Sequence, residues 1–170
     1  MGAAEGDSDA LRQFSKSVGG NYRDWSWKGG HDESAALDAA LEFYKAEPNG
    51  QIVIFGYSRG GQAAVNLANE LGKRGVAVNT VATFDPHSRS GHLTLKYNNV
   101  GNLFNYFQKN PDTRTFGVPT GDNPYRGSDI SSSFIINSGM DFTGNLDVGH
   151  NNVVQHGLSL GRKDIENAIK

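Results

Sequence analysis

Apolar side chains recur every three to four positions in three stretches of the first half of the chain. This spacing places them on one face of an α-helix, and a Gly or Pro follows each stretch and ends it. The pattern therefore predicts three amphipathic helices. They run from a cap at Asp7 or Ser8 to Val18, over residues 33–47, and over residues 62–74.

Two other stretches, residues 51–57 and 76–84, are mostly apolar and rich in β-branched side chains. Such runs are typical of interior strands in a parallel sheet that helices cover on both faces. Because helices and strands alternate along the chain, the sequence predicts an α/β fold with a mostly parallel sheet. The 170 residues are enough for one core, so we expect a single domain over residues 1–170.

The remaining elements are predicted from weaker patterns. An aromatic-rich segment before two glycines indicates a strand, apolar spacing after residue 100 indicates a helix, and a region rich in Gly, Pro, Asp and Asn indicates a long surface loop. Further on, the pattern predicts a last strand and a closing helix. In chain order these are the strand 21–27, the helix 100–108, the loop 110–129, the strand 134–136 and the helix around 165–169.

Composition and charge exclude several classes of function. The net charge of −2 comes without a block of Lys or Arg, so we expect no nucleic-acid binding by charge alone. The chain has no Cys, which excludes disulfides, thiolate metal sites and Cys nucleophiles. No apolar run is long enough for a transmembrane segment, and the N-terminus lacks the pattern of a Sec signal peptide. Metal-ligand spacing and nucleotide-binding motifs are missing, so we expect no metal and no cofactor.

The motif G-x-S-x-G occurs at residues 56–60, between the predicted strand 51–57 and the predicted helix 62–74. In a nucleophile elbow, a sharp turn between strand and helix exposes the Ser hydroxyl, and small residues at both Gly positions let strand and helix approach each other. Ser58 is therefore the candidate nucleophile, with a structural turn or an anion-binding loop as the alternative. A second match around Ser159 lacks a preceding strand, so Ser159 is not favoured.

A Ser nucleophile needs a base that takes its proton and an acid that orients the base. Asp85 is the candidate acid because it ends the strand after the elbow helix, and Asp147 and the weaker Asp141 are its rivals. In the hydrolase order of Ser, acid and His, the base follows the acid along the chain. His150, in a Gly-containing loop, is the candidate base, and His156 is its alternative.

These residues resemble the α/β-hydrolase superfamily. The similarity lies in the Gly-Tyr-Ser-Arg-Gly-Gly elbow at residues 56–61, which an Ala-rich helix follows, and in Thr-Phe-Asp-Pro at residues 83–86. Within the superfamily, the chain resembles the lipases whose acid follows the strand after the elbow. With Val-Gly-His at residues 148–150, the set is also similar to the Ser-Asp-His lipase and phospholipase effectors of bacterial type VI secretion, including Rhs-type C-terminal toxin domains. The resemblance covers roughly residues 20–156.

The resemblance implies an activity and a biological role. It implies a lipase or phospholipase that cleaves carboxylic esters with the triad Ser58, Asp85 and His150. It also implies a secreted antibacterial effector that is delivered into a target cell, with a cognate immunity protein as partner. Two other interpretations stay open. One is a housekeeping esterase, thioesterase or acyltransferase, and the other is a catalytically inactive binding module with a hydrolase fold.

An oxyanion hole in this superfamily combines the N–H after the nucleophile, here that of Arg59, with an N–H from a loop after an earlier strand. That earlier strand is missing from the predicted elements, because the chain begins with the helix expected after the loop. The second donor then comes from residues 2–7 or from residues 19–21, or the chain is a fragment of a longer protein, truncated on its N-terminal side. The short length favours the fragment, whose upstream segment would complete the site.

Overall fold

The fold is an α/β arrangement built on a parallel sheet. The computed structural model describes residues 3–19, 33–88, 92–110 and 127–170. The helices are α1 (Ala3–Ser17), α2 (Glu33–Ala46), α3 (Arg59–Lys73) and α4 (Val153–Ile169). The strands are β1 (Val53–Tyr57), β2 (Val78–Phe84), β3 (Leu93–Leu95), β4 (Val100–Tyr106) and β5 (Ile130–Ser132).

The main sheet has the order β1-β2-β4, and both of its strand pairs are parallel. Its register aligns Tyr57 with Phe84 and Phe84 with Tyr106, so the three strands end level with one another. Residues that follow these strands therefore meet at one edge. The short strands β3 and β5 form a separate parallel pair.

Helices cover the main sheet on both faces, as predicted from strands that are apolar on both faces. On one face, Val81 and Leu103 pack in a cluster with Ala68 and Leu71 of α3, and α2 lies against that cluster. Neighbouring strand residues point the other way and pack with α1 and α4. Those on the second face include Ala82, Phe84, Phe104 and Tyr106.

Helix α4 begins shortly after His150 and lies directly on the sheet. A Cβ at Gly157 would come within 2.8 Å of the Phe84 ring, and one at Gly161 would overlap the Tyr106 hydroxyl. Burial, together with the charge of Asp164, raises the pKa of Tyr106 to about 12. The Tyr106 side chain is therefore neutral at ordinary pH. The close packing of Gly157 and Gly161 on the sheet fixes the position of α4, and with it the residues just before the helix.

Several elements are confirmed with shifted ends. The predicted helix 33–47 and the predicted strands 51–57 and 76–84 correspond to α2, β1 and β2. The first helix begins at Ala3 rather than at a cap near Asp7. The elbow helix begins at Arg59, earlier than predicted. The predicted strand 21–27 and all but the ends of the loop 110–129 lie outside the described residues.

The predicted helix 100–108 is wrong, because this segment forms β4. Its apolar residues fit a helical period, but Gly101 and the neighbouring Asn residues are poor helix formers. As a strand, the segment pairs with β2 and provides hydrogen-bond partners for backbone N–H and C=O groups of β2 that would otherwise have none. Alternate side chains of β4 then enter the two core clusters on opposite faces.

The predicted strand 134–136 is also wrong. The strand of this region is β5, which ends at Ser132, and the side chains of Phe134 and Ile136 are 54% and 86% exposed. A short apolar run does not distinguish a buried strand from an exposed segment when no partner strand is known. The closing helix is longer than predicted, since α4 spans Val153–Ile169.

Gly56 lets β1 approach α3, and Gly61 lets α3 approach the segment that follows β2. A Cβ at Gly56 would lie 2.4 Å from the Gly60 carbonyl oxygen, and one at Gly61 would lie 2.6 Å from the Pro86 Cβ. At Gly60, the last glycine of the motif, a Cβ would have no heavy atom of the described residues within 4 Å. The expectation that both glycines of the motif are needed for the approach of strand and helix is therefore wrong for Gly60, and the adjacent Gly61 makes room for Pro86 instead.

This difference predicts opposite effects of two neighbouring substitutions. Gly61→Ala should lower the free energy of unfolding by about 1–3 kcal/mol, because the new Cβ would force the Pro86 ring and backbone to shift. Gly60→Ala should raise it by up to about 1 kcal/mol, because Ala loses less backbone entropy in a helix. Urea unfolding of the two variants measures both changes. Equal destabilisation by the two substitutions would contradict the packing described here.

Candidate active site

Ser58 occupies the sharp turn between the last residue of β1 and the first residue of α3. Its backbone has φ 57° and ψ −124°. Such a conformation costs a residue with a Cβ about 1–3 kcal/mol. Hydrogen bonds hold it: the Ser58 N–H donates to the Phe84 carbonyl at 3.0 Å, and the Ser58 carbonyl accepts from the N–H groups of Gly61 at 3.0 Å and His87 at 2.9 Å. A strained turn clamped in this way is typical of functional sites.

Asp85 follows β2 directly, as Ser58 follows β1, and the register pairs Tyr57 with Phe84. The two residues therefore lie next to each other at the carboxyl edge of the sheet. Asp85 also has a positive φ of 46°, and its side chain is fully buried. Its N–H donates to the Tyr106 carbonyl oxygen at 2.7 Å. A buried carboxylate needs hydrogen-bond donors around it.

His150 is one of those donors. Its Nδ1 lies 2.6 Å from Asp85 Oδ2, and only 6% of the residue is exposed. An ionised carboxylate can only accept, so Nδ1 carries the proton of this hydrogen bond. In the neutral imidazole the other nitrogen, Nε2, is then the acceptor. The pair thus holds His150 in the tautomer that a general base requires.

Tyr57 holds His150 from the side of β1. The Tyr57 hydroxyl donates to the His150 carbonyl oxygen at 2.6 Å, and the two rings stack with centroids 5.0 Å apart and an angle of 25°. Since Tyr57 immediately precedes Ser58, these contacts keep the imidazole at the end of β1. Ser58, Asp85 and His150 are therefore gathered at one edge of the sheet.

The rival residues lie in other surroundings. Asp147 and Asp141 are exposed, and Asp141 accepts a hydrogen bond from the Thr143 N–H. His156 lies on α4 with its ring edge-on to Phe142. Ser159 is also on α4, where its hydroxyl donates to the His156 carbonyl oxygen. The second G-x-S-x-G match is therefore part of a helix and has no strand before it.

The oxyanion donor predicted at Arg59 is the first N–H of α3. The first N–H groups of a helix have no acceptor within the helix and point outward, which suits them to a developing negative charge. Of the segments considered for the second donor, residues 3–7 belong to α1. Gly20 and Asn21 lie outside the described residues.

Sequence analysis missed two further residues at the site, Gln108 and Asn110. Gln108 donates to both oxygens of Asp85, from Nε2 to Oδ2 at 3.0 Å and from its backbone N–H to Oδ1 at 3.2 Å. Asn110 binds the loop that leads to His150. Gln108 fell in the predicted helix 100–108 and Asn110 at the start of the predicted loop 110–129. The strand β4, which forms in place of that helix, brings the chain to the sheet edge beside Asp85.

Within the described ranges, no group of three or more His, Asp or Glu side chains is arranged to hold a metal ion. No helix of that part of the chain combines the length and hydropathy needed to cross a membrane.

Comparison of the chain with protein-family models, with curated proteins and with solved structures finds no match.

Proposed function

We propose that the protein is a serine hydrolase of the α/β-hydrolase superfamily that cleaves carboxylic esters. The observation that carries the proposal is the buried 2.6 Å hydrogen bond between His150 Nδ1 and Asp85 Oδ2, at the sheet edge where Ser58 occupies its strained turn. A buried carboxylate bound to one imidazole nitrogen is the arrangement that prepares the other nitrogen to accept a proton. The strand, turn and helix around Ser58 support the same role.

In the proposed reaction, Ser58 Oγ attacks the ester carbonyl carbon and His150 Nε2 takes its proton. The Arg59 N–H donates to the oxyanion of the tetrahedral intermediate. His150 then returns the proton to the leaving alcohol, and an acyl-enzyme forms. Water, activated by His150, hydrolyses this ester and restores Ser58. Asp85 accepts from Nδ1 throughout and stabilises the imidazolium that forms twice in the cycle.

Hydrolysis of p-nitrophenyl butyrate, a soluble ester, tests the reaction class. We expect the folded wild-type protein to release p-nitrophenol with saturation kinetics and to lose the activity when a fluorophosphonate reacts with it. Folded protein without turnover of this or shorter esters would count against the reaction class.

Within this proposal, a lipid or phospholipid is the substrate, and the biological role is that of a secreted antibacterial effector. The motif resemblance supports both statements. The exposure of Met140 and Leu146 supports the first: Leu146 is 81% exposed in the loop that leads to His150, and the Met140 carbonyl accepts from the Phe107 N–H beside Gln108. Exposed apolar side chains on the segments that lead to the site suit a substrate that is presented in an aggregate.

Replacement of Leu146 tests the lipid substrate. We expect Leu146→Asp to lower the hydrolysis of phosphatidylcholine vesicles about tenfold, because an apolar contact with the lipid is lost and a charge is added. Turnover of p-nitrophenyl butyrate should stay within twofold of the wild type. Leu160→Asp is the matched control, since Leu160 is also exposed but lies on α4. Equal effects of the two substitutions, or turnover of the soluble ester alone, would favour a small-ester esterase.

A further inference from the structure

We propose that Gln108 and Asn110 are positioning residues that join Asp85 to the loop carrying His150, so that carboxylate and imidazole are set by one hydrogen-bonded unit. The catalytic meaning of this inference rests on the proposed hydrolase function. Its structural content, the dependence of the Asp85 to His150 hydrogen bond on two amide side chains, can be tested separately.

The first link is between Gln108 and Asp85. Gln108 is fully buried just past the end of β4, and its Nε2 and backbone N–H donate to the two carboxylate oxygens. Asp85 Oδ2 therefore receives hydrogen bonds from both Gln108 and His150. Two donors at Oδ2 and one donor at Oδ1 fix the plane of the carboxylate as well as its position.

The second link fixes which way the Gln108 amide points. Its Oε1 accepts a hydrogen bond from the Asn110 N–H at 2.7 Å. This contact needs an acceptor, so the oxygen faces Asn110 and the nitrogen faces Asp85. A Gln with no such partner could turn its oxygen toward the carboxylate, which would repel it.

The third link joins Asn110 to the loop before His150. The two N–H groups of Asn110 Nδ2 are shared among three carbonyl oxygens of this loop, and Asn110 Oδ1 accepts from the Gly144 N–H at 2.7 Å. The three carbonyls belong to Phe142 at 3.2 Å, Asn145 at 2.7 Å and Val148 at 2.9 Å. The loop has no strand or helix of its own, and the buried Asn110 side chain adds to the turn hydrogen bonds that order it.

These links form a closed ring of contacts. The ring passes from Asp85 through Gln108 and Asn110 to the loop, and returns through His150 to Asp85. The chain joins Asp85 and His150 only across a sequence separation of 65 residues, so local sequence alone cannot fix their distance. A change at either amide should therefore lengthen the bond between them.

Proton NMR of the His150 Nδ1–H gives a readout that does not depend on Ser58. A strong hydrogen bond to a buried carboxylate moves this proton far downfield and slows its exchange with water, and its absence from His150→Gln assigns it. We expect Gln108→Met and Asn110→Asp to shift the resonance upfield and speed its exchange. For p-nitrophenyl butyrate, kcat should fall about 10- to 100-fold with KM within threefold of the wild type.

Asn105→Asp is the matched control for Asn110→Asp. Asn105 is also a buried amide, but its side chain is hydrogen-bonded to Thr83 and the Ser128 carbonyl, and among the described residues no hydrogen bond joins it to Asp85 or to the loop. The Asn105→Asp variant should be less stable than the wild type but should keep the resonance of the His150 Nδ1 proton. Folded Gln108→Met with the wild-type resonance and exchange rate would overturn the proposal, and this variant decides alone if Asn110→Asp does not fold. An inactive wild type that shows the resonance would instead contradict the hydrolase function.

Discussion

Ser58→Ala should lower kcat for p-nitrophenyl butyrate by about 10⁴- to 10⁶-fold, the largest loss that we expect from a single substitution. The hydroxyl is the only group removed, and it is the group that forms the acyl-enzyme in the proposed reaction. Residual turnover would come from binding and from the Arg59 N–H. Steady-state kinetics on the purified variant, with circular dichroism to confirm folding, measure the loss.

Ser58→Gly separates the loss of the nucleophile from damage to the turn. Gly adopts the φ of 57° without the cost that a Cβ imposes, so this variant should be about 1 kcal/mol more stable than Ser58→Ala. Both variants should be equally inactive. Activity within tenfold of the wild type in either variant would exclude Ser58 as the nucleophile.

Asp85→Asn should lower kcat by about 10⁴-fold while the protein stays folded. The Gln108 N–H at Oδ1 needs an acceptor, so the amide nitrogen of the new side chain would face His150 Nδ1. Nδ1 would then have to accept, and the imidazole proton would move to Nε2, where it prevents proton transfer from Ser58. The same nitrogen would oppose Gln108 Nε2, so we also expect a lower free energy of unfolding.

The rival acids give the control for this experiment. Asp147→Asn and Asp141→Asn should keep kcat within about twofold of the wild type, because surface substitutions rarely disturb a buried site and both side chains are exposed. A fall in kcat in Asp147→Asn as large as that in Asp85→Asn would indicate that Asp147 orients the imidazole. Unchanged activity in Asp85→Asn would remove the carboxylate from the mechanism.

The parts of the fold that sequence predicts well are local ones. The elbow is such a part, since a buried strand, a G-x-S-x-G turn and an amphipathic helix follow one another within residues 51–74. Local pattern also indicated that Asp85 ends a strand, and the parallel arrangement then predicted that Asp85 and Ser58 share a sheet edge. The fold class followed from the same alternation of helix and strand.

The parts that sequence did not predict depend on distant contacts. The segment of β4 has an apolar spacing that fits a helix, and only its pairing with β2 makes it a strand. Once that segment is a strand, Gln108 reaches Asp85 and Asn110 reaches the loop before His150. The amide side chains of Gln108 and Asn110 belong to no sequence motif, so their contacts could not be predicted without knowing that β4 is a strand.

Reaction of the folded wild-type protein with a fluorophosphonate, followed by intact-mass measurement and peptide mapping, tests the role of Ser58 most directly. We predict one adduct per chain, located on Ser58, absent from Ser58→Ala and formed far more slowly in Asp85→Asn and His150→Ala. An adduct on another residue, or no adduct on folded protein, would contradict the assignment of Ser58, Asp85 and His150 as the reactive unit.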